Sequence, residues 1–197
     1  NYIVIFYMLK LNVNNETSRL LAVVLGTAKS NGNAPSLEDC YDPKSRENIL
    51  ANTYPLEKDM ITELRQFEEV LVKHNVKVYR PKVINDYNQI FSRDIGFVID
   101  DFFIVANILP ERSKEISAID NLTNLISEKR IINLPQECHV EGGDVILHND
   151  YVFIGTYNGD DYTSFKTART NYEAINFLKE RFPEKKIISF DLIKSDI

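Results

Sequence analysis

Short apolar runs alternate with polar turns along most of the chain, and longer amphipathic segments separate them. The short runs are rich in β-branched and aromatic residues, which favour strands, whereas the longer segments carry apolar residues at helical spacing. Short strands interleaved with helices are typical of an α/β protein. The predicted strands are LLAVVL (20–25), VKVYR (76–80), GFVI (96–99), FFIVAN (102–107), IINL (131–134), DVIL (144–147), YVFIG (151–155) and KIISF (186–190).

Three helical segments lie between these strands. One begins at Pro55 and another at Pro110, because proline suits the first turn of a helix, and the third spans 163–182. Each segment has one apolar face that we expect to point inward. The inward residues are Leu56, Met60, Leu64, Phe67 and Leu71 in the first helix, Ile116, Ile119, Leu122 and Ile126 in the second, and Phe165, Ala168, Tyr172, Ile175, Leu178 and Phe182 in the third.

The order strand, strand, helix, strand occurs twice in full. Aligning Gly96 with Gly143, 47 positions apart by subtraction, also aligns the apolar pair at 98–99 with the pair at 145–146. A looser first unit is made of LLAVVL, the helix after Pro55 and VKVYR. The chain therefore contains about three ββαβ units, and a repeat architecture of this kind must close on itself or be capped.

The remaining segments define the expected domain. Residues 27–54 are rich in Asn, Ser, Pro and charge, which predicts a long surface excursion. Residues 1–17 form an uncertain N-terminal extension whose apolar start is too short to span a bilayer and lacks a leader pattern. Residues 1–7 are either the scar of a fragment or an extra edge strand, and the sequence leaves both open. We expect 1–197 to be a single, incomplete α/β domain.

Composition narrows the range of functions. With 44% hydrophobic and 26% charged residues the chain can bury a core, and its net charge of −6 argues against nucleic acid as a partner. Cys40 and Cys138 are the two cysteines in the sequence, and their spacing is not of a metal-binding type. We therefore expect no metal or other cofactor, no membrane association and a location in a reducing cytoplasm.

Two carboxylates precede the aligned glycines. Asp94 lies two residues before Gly96, and Glu141 lies two residues before Gly143. In this alignment the two side chains are equivalent and are expected to face a shared centre. Carboxylates that converge repel each other, so a cation between them is needed, and a planar guanidinium suits them well. The alternative is that both are turn or cap residues.

Three motifs resemble a known family. FSRD (91–94), EGGDV (141–145) and ARTN (168–171) are similar to signatures of the guanidino-group-modifying superfamily, which includes arginine deiminases, dimethylarginine dimethylaminohydrolases and glycine amidinotransferases. The resemblance covers most of 18–190. It implies the pentein fold, a five-bladed α/β propeller of ββαβ units with its site on the central axis. About three of the five units are expected here.

The resemblance also implies the chemistry and the roles of the residues. A cysteine thiolate attacks the guanidinium carbon to form a cysteine-bound amidino intermediate, and a histidine protonates the departing amine. Asp94 is then expected to hold the guanidinium, and Glu141 to pair with the histidine or with substrate nitrogens. Asp144, with Gly142 and Gly143, is expected to be structural. Arg169, and with less support Arg112, are candidates for pairing with a substrate carboxylate, although either can be a helix-surface cation.

The chain departs from the family pattern at its end. The family's catalytic histidine follows the strand that matches KIISF, and its cysteine lies later still; neither position exists among the 197 residues. Cys138 and His139 do not replace them, because neighbours in extended backbone point to opposite faces. The expected function is thus part of an amidinotransferase or related hydrolase acting on arginine or a similar guanidino compound. The amidinotransferase branch is favoured slightly by HNVKVYRP (74–81).

Two other interpretations stay open. One is a pentein-fold binding or interaction domain without catalysis, and the other, with less support, is an unrelated α/β repeat protein. The sequence identifies neither the acceptor nor the oligomeric state, so a homo-oligomer remains among the outcomes it allows.

Overall fold

The structure, a computed structural model, describes residues 8–38, 40, 43–108, 110–156 and 170–192. Its elements follow the predicted order of strands and helices closely. In chain order they are β1 (Ala22–Val24), α1 (Pro43–Leu50), α2 (Glu57–Lys73), β2 (Lys77–Tyr79), β3 (Gly96–Ile99), β4 (Phe102–Val105), α3 (Lys114–Ser117), α4 (Asp120–Thr123), β5 (Ile131–Asn133), β6 (Val145–His148), β7 (Tyr151–Thr156), α5 (Tyr172–Arg181) and β8 (Lys186–Asp191).

The strands of the described residues form three small sheets, one for each repeat unit. Unit 2 has the order β3-β4-β5 and unit 3 has the order β6-β7-β8. In both, the first two strands are antiparallel and the last two are parallel, with the helical segment between them. Unit 1 has only the parallel pair β1-β2, joined through α2. The ββαβ repeat and the looser first unit are therefore as predicted.

The alignment of the repeats differs from the predicted one by two residues. Gly96 pairs with Val105 at the open end of the first hairpin, and Val145 pairs with Ile154 at the open end of the second. The equivalent of Gly96 is thus Val145, 49 positions on by subtraction. In this register Asp94 corresponds to Gly143, so the predicted equivalence of Asp94 and Glu141 is wrong. Aligning Gly96 with Gly143 gave the wrong register. Gly96 is the first residue of its hairpin, whereas Gly143 belongs to a 3-10 turn at Gly142–Asp144 that precedes the second hairpin.

The core consists of two layers that connect neighbouring units. In the first layer α3, α4 and one face of the unit 2 sheet pack together, with Val24 and Tyr79 of unit 1 against them. In the second layer the opposite face of the unit 2 sheet packs on α5 and the unit 3 sheet. Each unit therefore covers one sheet face of the unit before it. The residues of unit 2 that face unit 3 are Phe97, Ile99, Ile104 and Ile132.

The helix predicted after Pro110 is broken into short pieces. The carbonyl of Ala118 accepts a hydrogen bond from the Lys82 amide, so it does not serve the Leu122 amide as a continuous helix would require. The Leu122 amide donates to the carbonyl of Ile119 instead. The apolar face nevertheless points inward as expected, with Ile119, Leu122 and Ile126 buried.

The other two helices lie where the sequence predicted them, but not every residue that was predicted to face inward is buried. Leu56, just before α2, and Phe67 within it are exposed. The helix lies at the periphery of a two-stranded sheet, and none of its residues is buried. In α5, Ile175 and Leu178 are buried, whereas Tyr172 is exposed. Phe165 and Ala168 lie outside the described residues. The predicted excursion at 27–54 contains α1.

The N-terminal segment crosses the ends of both hairpins. Val13 and Asp100 exchange backbone hydrogen bonds of 2.8 and 2.7 Å, and the Asn149 amide donates to Asn14. Asp100 and Asn149 are equivalent hairpin-turn residues, with φ of 52° and 53°. Residues 8–18 therefore run along one end of units 2 and 3. Residues 1–7, for which the sequence left two alternatives open, lie outside the described residues. None of the helices in the described part of the chain has the length and apolar character that crossing a membrane requires.

The layered packing predicts unequal effects at two equivalent isoleucines. Ile132 is 6% exposed because unit 3 covers it, whereas Ile188, its equivalent in unit 3, is 39% exposed. We expect Ile132→Ala to lower the free energy of unfolding by about 2–4 kcal/mol and Ile188→Ala by about 1 kcal/mol. Urea denaturation of both variants measures this. Equal losses would mean that unit 3 does not pack on the unit 2 sheet in solution.

Candidate functional site

Arg112 lies at the junction of units 2 and 3 with three carboxylates around its guanidinium. Nη1 donates to Asp94 Oδ2 at 2.7 Å, and Nε and Nη2 donate to the two Glu115 oxygens at 2.7 and 3.1 Å. Nη1 also lies 3.7 Å from Glu141 Oε2. Asp94 and Glu141 therefore do lie side by side, and the cation between them is supplied by the protein itself.

The two carboxylates differ in their access to solvent. The Asp94 side chain is 15% exposed, whereas that of Glu141 is 2% exposed. Asp94 uses Oδ2 for Arg112, and its Oδ1 faces Gly143, where an added β-carbon would lie only 2.6 Å away. Gly143 is itself exposed. Glycine at 143 thus lets its loop lie against Asp94 Oδ1 with no side chain between them, while the Asp94 side chain stays partly exposed.

Close contact between two loops brings the carboxylates together. The Gly142 amide donates to the Asp94 carbonyl at 3.2 Å, and a β-carbon at Gly142 would collide with the carbonyl oxygen of Arg93. Any side chain at 142 would therefore push the EGGD loop of unit 3 away from the FSRD loop of unit 2. The two glycines therefore have separate reasons: Gly142 permits the loop backbones to touch, and Gly143 permits its loop to lie against the Asp94 carboxylate.

The electrostatics of the cluster favour a permanently charged arginine. Burial lowers the pKa of Arg112, but hydrogen bonds and attraction to Glu115 and Asp94 outweigh burial and raise it above its ordinary value. Burial also raises the pKa of Glu115, and the Asp94 charge adds to the rise, although Arg112 opposes it. Glu115 is therefore the member of its ion pair whose charge is least favoured.

Arg112 is not placed to bind a substrate carboxylate as the sequence suggested. It is 6% exposed, and its guanidinium already binds carboxylates of this chain. A substrate carboxylate would have to approach a cation surrounded by negative side chains. The geometry instead gives Arg112 the role of holding Asp94 and Glu141 in place.

Thr170 and Asn171, the described half of the ARTN motif, lie beside the EGGD loop. Thr170 donates from Oγ1 to Asp144 Oδ2 at 2.7 Å, which fits the anchoring role predicted for Asp144. The Asn171 side chain caps α5 through the Ala174 amide and also accepts the His139 amide at 3.0 Å. Arg169, the predicted partner of a substrate carboxylate, lies outside the described residues.

Sequence reasoning missed three residues that build this site. Glu115 lies three positions after Arg112, a helical spacing at which opposite charges meet, so that pair was detectable. Asn171 was visible as a cap residue before an amphipathic helix. Arg93 donates from Nε to the Gly142 carbonyl at 2.9 Å and from Nη2 to the Val145 carbonyl at 2.7 Å, and nothing in its local sequence signals these long-range bonds.

Cys138 is a poor nucleophile in this structure. Its side chain is buried in the layer between units 2 and 3. Burial raises the pKa of the thiol, and the negative charges of Glu137 and Glu173 raise it further, so little thiolate forms at neutral pH. Among the described residues, no group of three or more His, Cys, Asp or Glu side chains is arranged to hold a metal ion.

Solved structures with the same fold include two amidinotransferases and a dimethylarginine dimethylaminohydrolase. The amidinotransferase SxtG of the saxitoxin pathway from Microseira wollei matches 91% of this chain with a TM-score of 0.67 and 18% identity. The inosamine-phosphate amidinotransferase StrB1 from Streptomyces griseus matches 92% with 0.67 and 16%. A dimethylarginine dimethylaminohydrolase from Pseudomonas aeruginosa, complexed with citrulline, matches 88% with 0.60 and 13%. In each case the chain spans 62% of the other protein's length.

One curated protein is more similar in sequence. The uncharacterized protein YkgA of Bacillus subtilis (strain 168) is 34% identical over 128 residues, which are 63% of this chain and 40% of YkgA. No family model matches the chain. The structural likenesses show the fold: the chain has the pentein-type α/β propeller architecture that its sequence predicts, with three units in the part of the chain that the structure describes.

Loss of the central cation should destabilise the protein far more than loss of a surface cation. In Arg112→Met, three carboxylates remain close together and poorly solvated, so we expect the free energy of unfolding at pH 7 to fall by about 3–5 kcal/mol. Arg130→Met removes an exposed ion pair with Asp101 and should cost about 1 kcal/mol or less. Denaturation curves at pH 7 and pH 5 measure both.

The stability loss of Arg112→Met should depend on pH, and the direction of the change can be worked out. Crowded carboxylates have raised pKa values, so acidification neutralises them and should shrink the deficit of Arg112→Met between pH 7 and pH 5. A deficit that stays small at both pH values, as for Arg130→Met, would contradict the central role of Arg112.

Proposed function

We propose that this chain forms the guanidinium-binding part of an amidinotransferase or related amidinohydrolase that acts on arginine or a similar guanidino compound. The observation that carries the proposal is the pairing of Asp94 and Glu141 around a guanidinium, with Asp94 still partly exposed and its Oδ1 beside Gly143. The fold shared with amidinotransferases and with a dimethylarginine dimethylaminohydrolase supports the same chemistry.

In this proposal the ligand guanidinium lies over Gly143 and binds Asp94 Oδ1. Arg112 occupies the inner face of the same carboxylate and fixes its orientation. A carboxylate can accept from two guanidinium groups on its opposite sides, since each oxygen carries two acceptor positions. Glu141 is buried behind Asp94, so its proposed role is to keep the site negative and to orient the histidine of the intact enzyme. Arg169 is proposed to pair with the carboxylate of the ligand.

The bond-breaking groups are proposed to come from residues other than these 197. Carboxylates can orient a guanidinium, but they do not supply a thiolate that attacks its carbon, nor a proton for the departing amine at neutral pH. Cys138 is buried and its thiol is hard to ionise, so it does not fill this role. The site is proposed to function in the cytoplasm without metal or organic cofactor.

A second candidate function is a non-catalytic pentein domain that binds or associates with another molecule. The specific observation in its favour is that Arg112 already neutralises part of the carboxylate site from within. Both candidates require the carboxylates to be in place, and they differ in whether the intact protein carries out turnover.

Arginine binding tests the proposed site. The 197-residue chain should bind arginine and should bind citrulline about tenfold or more weakly, because the neutral ureido group forms no charge-assisted bond to Asp94. Asp94→Asn should weaken arginine binding by a similar factor and leave citrulline binding almost unchanged. Isothermal titration calorimetry measures all four affinities. Equal affinity for the two ligands would remove the basis for a guanidinium site.

A product assay separates the two candidate functions. The short chain should release neither citrulline nor ornithine from arginine, whereas the intact protein should do so if it is an enzyme. Cys138→Ala serves as the control in the short chain. Turnover by the short chain that this substitution abolishes would show that Cys138 is the nucleophile after all.

A further inference from the structure

Arg93 donates hydrogen bonds to backbone carbonyls at both ends of the turn that follows Glu141. Its Nε donates to the Gly142 carbonyl at 2.9 Å, and its Nη2 donates to the Val145 carbonyl at 2.7 Å. The residue next to it in sequence is Asp94, and Asp94 accepts the Gly142 amide through its backbone carbonyl. The FSRD loop therefore holds the EGGD loop at three points.

The N-terminal segment contributes the counter-ion of Arg93. Glu16 accepts from Nη2 at 3.0 Å and from Nη1 at 3.4 Å, and its Oε1 also accepts the Leu147 amide at 3.3 Å. Burial raises the pKa of Glu16, but the bond to Arg93, its charge and the Leu147 amide together outweigh burial and lower it. Glu16 is thus a carboxylate at neutral pH, fixed between Arg93 and β6.

We propose that Arg93 is a positioning residue for the guanidinium site, and that Glu16 directs its guanidinium onto the two carbonyls of the EGGD loop. The inference rests on the proposed function, because the proposed role of Arg93 is to keep Gly143 against Asp94 Oδ1, where the ligand guanidinium is proposed to bind. Residues 8–18 are then part of the site rather than a passive extension. The segment is secured on both hairpin turns, at Asp100 and Asn149, so Glu16 reaches Arg93 from a fixed point.

The hydrogen-bond pattern distinguishes this role from that of a surface ion pair. Arg93 and Glu16 are partly exposed, and exposed ion pairs contribute little on their own. The bonds to the Gly142 and Val145 carbonyls, however, require a donor with two separated N–H groups. A lysine reaches one carbonyl at a time, and a glutamate at this position accepts but cannot donate.

The test uses variants of the 197-residue chain with two readouts. One is the dissociation constant for arginine, and the other is hydrogen exchange of two amides: that of Gly142, which donates to the Asp94 carbonyl across the loop contact, and that of Asp144, which donates to the Glu141 carbonyl within the EGGD turn. Arg93→Gln should weaken arginine binding roughly 5- to 30-fold and speed exchange at both amides by a similar factor, since two hydrogen bonds are lost. Arg93→Lys should fall between Arg93→Gln and the parent chain, and Glu16→Gln should be milder still.

Two matched variants make the result decisive. The charge swap Glu16→Arg with Arg93→Glu restores opposite charges but not donors for the carbonyls, so it should not recover either readout. Arg130→Gln removes another partly exposed ion pair in unit 2 and should change neither. Recovery by the swap, or unchanged exchange in Arg93→Gln, would overturn the positioning role.

The two readouts also separate this inference from the proposed function. If the parent chain does not bind arginine, the proposed function fails, while faster loop exchange in Arg93→Gln still supports the holding of the loop by Arg93. If arginine binds and both Arg93→Gln and Glu16→Gln bind it as tightly as the parent, the positioning role is excluded and the guanidinium site stands. Glu16→Gln keeps the carbonyl bonds available, so it covers the case in which Arg93→Gln does not fold.

Discussion

A buried arginine surrounded by carboxylates is the interaction on which the rest of this structure depends. Arg112 binds Asp94 and Glu115 of its own unit and lies within ion-pair distance of Glu141 of the next. A charge taken out of water is tolerated only when paired partners replace the lost solvation, and here the partners come from two units. The same set of contacts therefore compensates the charges and sets the position of unit 3 relative to unit 2.

The loops and the N-terminal segment serve that junction. Glycine at 142 allows the EGGD loop to touch the backbone of the FSRD loop, and glycine at 143 allows that loop to lie against Asp94 Oδ1. Arg93 donates hydrogen bonds from one loop to the other, and Asn171 fixes the loop segment before Glu141 through its bonds to the backbone at Glu137 and His139. The result is a partly exposed carboxylate that is held by a buried arginine.

Most of the fold was predictable because local patterns determine it. Two-residue hairpin turns, β-branched runs and amphipathic segments each carry their own signal, and the ββαβ order follows from them. The repeat register was not predictable, because the glycines used to align the units serve a loop contact and not a common strand position. The predicted helix after Pro110 is not continuous for a similar reason. The Lys82 amide, distant in sequence, donates to the Ala118 carbonyl, which a continuous helix would use.

The closeness of the two predicted carboxylates was visible in the sequence, whereas their roles toward a substrate stay predictions. Asp94 and Glu141 were expected to face a shared centre, and both lie near the Arg112 guanidinium. That this arginine lies between them could not be foreseen, since its surrounding sequence gave it only as a weaker candidate for a substrate carboxylate. Glu16 and Arg93 are 77 positions apart in the chain, and no sequence pattern links them.

The most direct test of the central claim is the position of bound arginine relative to Asp94. Isotope-edited nuclear Overhauser spectra of the 197-residue chain with labelled arginine can detect contacts of its δ-methylene protons. A guanidinium bound at Asp94 Oδ1 predicts contacts with the α-protons of Gly143, lost in Asp94→Asn. Saturating arginine that contacts other residues and leaves Gly143 without contacts would contradict a guanidinium site at the junction of units 2 and 3.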